Sequence, residues 1–209
     1  MRKLFLIVSL CVLSVPAFCQ LGVNLALSQE SYLRYENIFA QITLRNLSGK
    51  AIIFGEGDTM SGKVEFVIEA PNGMPADKKK TDYNPMIGFV IPPGISQTVL
   101  VPVNRLYIVD KAGSYRIKAI INHNQLQHSY ESGTATFTIF NGMTIWEKQI
   151  GVPKLYHKEG GTEPLPRTAR ILSFYDKENN YFALMIEDKE KVFAVQRLGH
   201  DIGNEKPQI

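Results

Sequence analysis

The sequence predicts an all-β chain: an antiparallel β-sandwich followed by a small three-stranded antiparallel meander. Two observations carry that prediction. Beyond residue 19, apolar residues recur at a period of two, with no convincing helical period. Clusters of Gly, Pro, Asn and Asp then cut the alternation into short runs.

The chain opens with a leader. Met1-Arg2-Lys3 is basic, residues 4–15 are apolar, Pro16 breaks the run, and Ala17-Phe18-Cys19 precedes Gln20. A basic start, a short apolar core and a cleavage triplet predict a secretion signal cut after Cys19, so the protein is expected to be secreted or periplasmic. The apolar run is shorter than the ~18 residues needed to cross a bilayer. The mature chain is thus expected to have no integral membrane segment. Two alternatives stand beside this reading: an uncleaved anchor, and lipid on Cys19, for which Phe18 is bulkier than the usual preceding residue. Cleavage leaves 190 of the 209 residues and removes both cysteines, Cys11 and Cys19. The remainder has no disulfide, thiol nucleophile or cysteine metal site. Its stability must come from a hydrophobic core, which a chain of this length can build. Disulfide-free export favours a bacterial periplasm or surface. Asn46-Leu47-Ser48 matches a glycosylation acceptor but reads as a turn.

The sandwich strands follow in order. Val23, Leu25 and Leu27 alternate loosely. Ile38, Ala40, Ile42 and Leu44 take one face, with Gln41, Thr43 and Arg45 on the other. Val64, Phe66 and Ile68 alternate with Glu65, Val67 and Glu69. Tyr115, Ile117, Ala119 and Ile121 alternate with Arg116, Lys118 and Ile120, and Ala135, Phe137 and Ile139 with Thr136 and Thr138. One polar face per strand describes antiparallel strands that cover a core on one side. Turns at Ser48-Gly49, Gly55-Glu56-Gly57-Asp58, Pro71-Asn72-Gly73, Pro92-Pro93-Gly94, Ala112-Gly113 and Asn141-Gly142 punctuate them. Seven or eight strands in about 120 residues suit an immunoglobulin-like sandwich.

The run Asp110-Lys111-Ala112-Gly113-Ser114-Tyr115-Arg116-Ile117 resembles the approach to strand F of immunoglobulin-like domains, where a tyrosine corner stands two residues before a cysteine. Tyr115 matches that tyrosine, and Ile117 takes the cysteine's place. The resemblance implies a Tyr115 hydroxyl bonded to backbone near Asp110, a Gly113-x-Tyr115 corner, and an aliphatic contact at Ile117. The sole tryptophan, Trp146, lies outside this region, so the core tryptophan of antibody domains is missing. More widely, Tyr32 and Glu36 introduce a strand ending at Asn46, and Pro93-Gly94 precedes another. This is similar to sandwich modules of secreted bacterial proteins, including alpha-macroglobulin segments and proteinase-inhibitor sandwiches. The fold so implied hosts many unrelated functions.

Beyond Asn141-Gly142, residues 144–150 could form one more strand, and 151–166 are rich in Gly, Pro and charge. Three alternating runs follow, at 169–175, 181–186 and 192–197, joined by polar turns. The predicted organisation is a leader over 1–19, an immunoglobulin-like sandwich over 20–142, a strand and linker over 143–166, the meander over 167–200 and a loose tail over 201–209. A meander of about 40 residues cannot bury an independent core. It is expected to pack on the sandwich or on another chain.

Charge excludes one class of partner. Two of the 23 basic residues lie in the leader, leaving 21 against 20 acids, which is not the footprint of a nucleic-acid binder. Lys78-Lys79-Lys80 lies between Asp77 and Asp82 and reads as a solvated loop. No Gly-x-Ser-x-Gly elbow and no phosphate-cradling glycine motif occurs. His123 and His128 flank a loop that could chelate a metal near Glu131, but their spacing is not the helical pair of metalloproteases. Glu187-Asp188 is the tightest carboxylate pair. Adjacent strand residues point to opposite faces, so Asp188 reads as the start of a turn. Exposed aromatics are the remaining candidates. Trp146, Tyr156, His157, Tyr175, Tyr181 and Phe193 gather in the last third, with Trp146 and Tyr156 open as binding residues. Phe174, Leu184 and Val195 are expected in the core.

These readings predict a non-enzymatic exported module, without cofactor, that binds a protein partner or a surface polymer. The resemblance implies a second function, a proteinase inhibitor inserting residues 74–84 or 151–166 into a protease. A third is a metal-dependent hydrolase using His123 and His128.

Overall fold

The computed structural model describes residues 20–151, 166–176 and 179–200. Residues 1–19, where the leader is expected and which include Cys19, lie outside them, as do nearly all of 151–166 with Tyr156 and His157, and 201–209. Apart from one helical turn, the described chain is all β.

Strands β1 (Leu21–Leu27), β3 (Phe39–Asn46) and β7 (Ser96–Pro102) form a three-stranded antiparallel sheet in the order β1-β3-β7. A second sheet runs β2 (Ser31–Leu33), β10 (Ala135–Phe140), β8 (Gly113–His123) and β5 (Gly62–Glu69), with β9 (Tyr130–Glu131) added to β8. Strands β4 (Ile52–Ile53) and β6 (Val90–Ile91) make a separate ribbon. The predicted alternation appears as burial. In β3, Ala40, Ile42 and Leu44 are buried while Gln41 and Arg45 are exposed. In β8, Tyr115, Ile117, Ala119 and Ile121 point inward. Both sheets feed one hydrophobic cluster, which includes Ile42, Phe66, Ile117 and Phe137.

Two details depart from the expected pattern. Strand β2 pairs with β10 in parallel, Tyr32 opposite Ile139, in an otherwise antiparallel sandwich. All three of its residues are buried, so it is too short and too enclosed to alternate. The turn α1 (Val103–Leu106) buries Val103 and Leu106, one turn apart, and four residues cannot show a helical period. Asn46 closes β3 as a buried knot. Its amide donates to the Lys50 and Ile91 carbonyls at 2.8 Å each, and its oxygen accepts from the Ser48 N–H at 2.9 Å. The Asn46-Leu47-Ser48 triplet is therefore a turn.

The C-terminal unit is larger than the predicted meander. Strands β11 (Met143–Ile150), β12 (Arg167–Asp176), β13 (Asn179–Glu187) and β14 (Val192–His200) form one four-stranded antiparallel sheet. The strand expected within 143–166 thus belongs to the meander. As an edge strand exposed along nearly its whole length, β11 needed no alternation.

This sheet packs on its own sandwich. Leu33 of β2 is buried with Leu172, Phe174, Ala183 and Met185. Burying each larger side chain contributes roughly 2 kcal/mol. Polar contacts fix the seat. The Ser31 hydroxyl donates to Asp176 at 2.7 Å. The Arg197 guanidinium donates to Glu36 at 2.8 and 3.1 Å and to the Ser31 carbonyl, while lying 5.0 Å over the Phe174 ring. Glu36 also accepts the Leu33 N–H at 2.8 Å. Removing one partner of such a mostly buried pair leaves the other charge uncompensated. Arg197→Ala should therefore cost about 3 kcal/mol in urea unfolding, and amides of β12 and β13 should exchange before those of β8.

Candidate functional site

The tyrosine corner is structural. The Tyr115 hydroxyl accepts the Lys111 N–H at 3.1 Å and donates to the Lys111 carbonyl at 2.8 Å, one residue beyond Asp110. Its ring stacks on Phe137, centroids 5.0 Å apart. Burial pushes the phenol above its ordinary value; the Lys111 backbone bond pulls the other way and nearby Asp110 adds to the rise. Gly113 has φ +129°, and a Cβ there would fall 2.6 Å from Pro71, so the approach to the corner requires glycine. Ile117 is fully buried in the core.

His123 is also structural. It ends β8 and is buried, 4.7 Å from the Phe54 ring. Its Nδ1 accepts the Gln125 N–H at 3.1 Å, so Nε2 carries the proton and donates to the Ile53 carbonyl at 2.9 Å. Neither nitrogen keeps a lone pair for a metal. His128 is exposed on the following turn. The expectation that His123 sits on a ligating loop is corrected: it pins β8 to the β4–β6 ribbon.

The stretch after β5 is stitched down on two sides. The Ala76 N–H donates to Ile68, and the Ile108 N–H to Asp77, each at 2.8 Å; the Lys79 N–H reaches Leu106. The Lys78 ammonium lies 2.7 Å from Glu65, with Lys63 at 3.1 Å. Met74 and residues 77–82 of this segment are nonetheless exposed. Lys78, and less so Lys63, holds the Glu65 carboxyl below its ordinary value against the opposing effect of burial; Glu65 in turn raises Lys78.

A cleft of about 620 Å³ lies between the sandwich and the β13–β14 turn. Tyr35, Lys79, Tyr107, Asp110, Glu187 and Lys191 line it. Two of its acids are engaged. Glu187 pairs with Arg170 at 2.9 Å, and Asp188 accepts the Glu190 and Lys191 N–H groups at 2.8 and 2.9 Å. Those backbone bonds hold the Asp188 carboxyl below its ordinary value, as expected of a turn-forming aspartate. In the cleft, neither Glu187 nor Asp188 is free to serve as an acid or base.

The outward face of the C-terminal sheet differs in kind. Register places three rows across it in the order β11-β12-β13-β14: Met143-Ser173-Phe182-Gly199, Trp146-Ile171-Leu184-Gln196, and Lys148-Ala169-Ile186-Ala194. Leu172, Phe174, Ala183 and Met185 occupy the opposite face, against Leu33. Leu184, expected in the core, is therefore half-exposed on the outer face, while Phe174 and Val195 lie with the buried cluster. Met143 is 66 % and Trp146 45 % exposed. Arg167 lies 4.0 Å over Phe193 at the rim. Phe182-Ala183-Leu184-Met185-Ile186 is apolar on both sides of β13, the pattern of a strand covered on both faces. Only the sandwich side is covered by described residues. Among the sequence candidates, Trp146 belongs to this face, and Tyr156 lies outside the described residues.

No protein-family model and no curated protein matches the chain. Among solved structures, it is similar to the sporulation control protein Spo0M of Bacillus subtilis, at 9 % identity and a TM-score of 0.35, over 86 % of this chain and 90 % of that one. Likeness at that level carries no argument about function.

Two outcomes are expected. Tyr115→Phe loses both Lys111 bonds and should lower stability by about 1 kcal/mol, since water can reach Lys111; thermal and urea unfolding measure it. A depressed carboxyl contributes stability above its ordinary value of 4.5 that is lost as pH falls through the folded value. The stability advantage of the wild type over Glu65→Gln, about 1 kcal/mol or less for so exposed a pair, should therefore be present at pH 6 and vanish under acid. Urea midpoints against pH read it directly.

Proposed function

We propose that the protein is an exported, non-enzymatic, immunoglobulin-like module that docks a protein partner on the outward face of its C-terminal sheet. The observation that carries this reading is the row Trp146-Ile171-Leu184 on a face that no described element covers. Contiguous apolar surface left partly open to solvent marks interaction sites. Aromatic anchors such as Trp146 are enriched where binding energy concentrates.

Other features support the parts of the reading. The pairing order β1-β3-β7 against β10-β8-β5 matches the A-B-E and G-F-C strands of an immunoglobulin-like sandwich. Export rests on the leader, and a cut after Cys19 would leave β1, which begins at Leu21, whole. The non-enzymatic reading rests on His123, Glu187 and Asp188 being occupied by structural bonds.

The test is capture from the native extracellular or periplasmic fraction with the mature chain and with Ile171→Asp, whose fold is checked by circular dichroism. Stoichiometric capture that falls at least tenfold in Ile171→Asp is expected. Capture equal in both proteins, or turnover on a broad panel of hydrolase substrates, would sink the proposal.

A further inference from the structure

We infer that the occupant of this face is a second copy of the chain, the two C-terminal sheets stacking face to face about a two-fold axis that runs along their strands. The inference rests on the docking-face reading above and names its partner.

The argument begins with side-chain height. A two-fold axis along the strands lays β11 over β14 and β12 over β13 of the second copy, and keeps each row over itself. In the first row Met143 then meets Gly199, and Phe182 meets Ser173. In the third, Ile186 meets Ala169, and Lys148 meets Ala194. Large residues fall on small ones across both outer rows. The central row stacks Ile171 on Leu184, with Trp146 over Gln196. Isologous interfaces require this self-complementarity, and the alternation of large and small along the two outer rows supplies it. A partner of different shape would not need it.

Charge and area agree. Lys148 is the only charged residue in the three rows, and the pairing sets it against Ala194 rather than against itself. Aligned sheets pack about 10 Å apart with strands within about 30° of each other, which suits two twisted copies. Four strands at about 4.8 Å spacing and seven residues at about 3.3 Å rise give a face of roughly 450 Å². Two such faces bury roughly 900 Å², in the range of weak or transient interfaces. The expected dimer is therefore reversible, forming in the micromolar range.

The experiment uses the full mature chain, with sedimentation velocity over a concentration series and acrylamide quenching of its one tryptophan, Trp146. A monomer–dimer equilibrium is expected, with Trp146 quenched several-fold less in the dimer. Two substitutions at exposed Ala194 report the geometry without touching the core. Ala194→Lys sets an ammonium against Lys148 of the second copy and should weaken the dimer at least tenfold. Ala194→Glu should tighten it several-fold. A dimer indifferent to both, or affected in the opposite order, overturns the proposed stacking. A monomer at every concentration with Trp146 freely quenched overturns self-association, and Ile171-sensitive capture would then leave the docking face standing. A monomer with Trp146 protected shows the chain covering its own face, and both readings fall.

Discussion

Three residues hold the molecule together. Strand β2 has only three residues, yet both hydrophobic clusters depend on it. Tyr32 points into the sandwich core and meets Phe137 edge-on at 5.8 Å. Leu33 points the other way, into the C-terminal cluster. Ser31 supplies a hydroxyl to Asp176 and a carbonyl to Arg197. The turn that follows provides Glu36, which binds the Leu33 N–H and the Arg197 guanidinium together. A strand with one side in each cluster cannot shift register without losing both. Its parallel pairing with β10 is what lets it lie between them.

Much of the remaining cohesion comes from buried polar side chains that sew connections to strands. The two cysteines, Cys11 and Cys19, both precede the described residues, so no disulfide does this within them. Asn46 ties the β3 end to β6, His123 ties β8 to β4, and Tyr115 closes the turn before its own strand. The Tyr107 hydroxyl accepts the Phe66 N–H at 2.9 Å, joining the segment after α1 to β5. Each spends its polar atoms on backbone, so residue types associated with chemistry are engaged in architecture. What remains available is surface, and the C-terminal sheet holds the most ordered apolar portion of it.

The sequence made the long sandwich strands readable because each has one wet side. Periodicity found β3, β5, β8 and β10, and the turn residues found the connections. Three of the shortest elements escaped it: β2, α1 and β9 are too short to express a period. The C-terminal sheet escaped in another way. Strand β13 is apolar on both sides, so no pattern could say which set faces the sandwich, and Leu184 was assigned to the core. Histidine identity was equally mute. The same residue serves as a ligand or as a backbone pin, and only the Gln125 and Ile53 bonds decide between them. Tyr115 was legible because its corner is encoded within a few neighbouring residues. Trp146 could be found by type, but its face depends on a register with Ile171 that is set twenty-five residues downstream.

The distances along the chain that β2 spans have a kinetic meaning. Its contacts reach Asp176 and Arg197 across 145 and 166 residues. Closing loops of that length costs entropy before any contact repays it, so such pairings form late. A ribosome releases the β2 end first and the β14 end last. Through most of synthesis, Leu33 and Glu36 lack their C-terminal partners, and the sandwich is complete in sequence before its second anchor exists. Maturation of this fold is therefore governed by its final strand, and a chain cut short before Arg197 would leave an early-made seat empty.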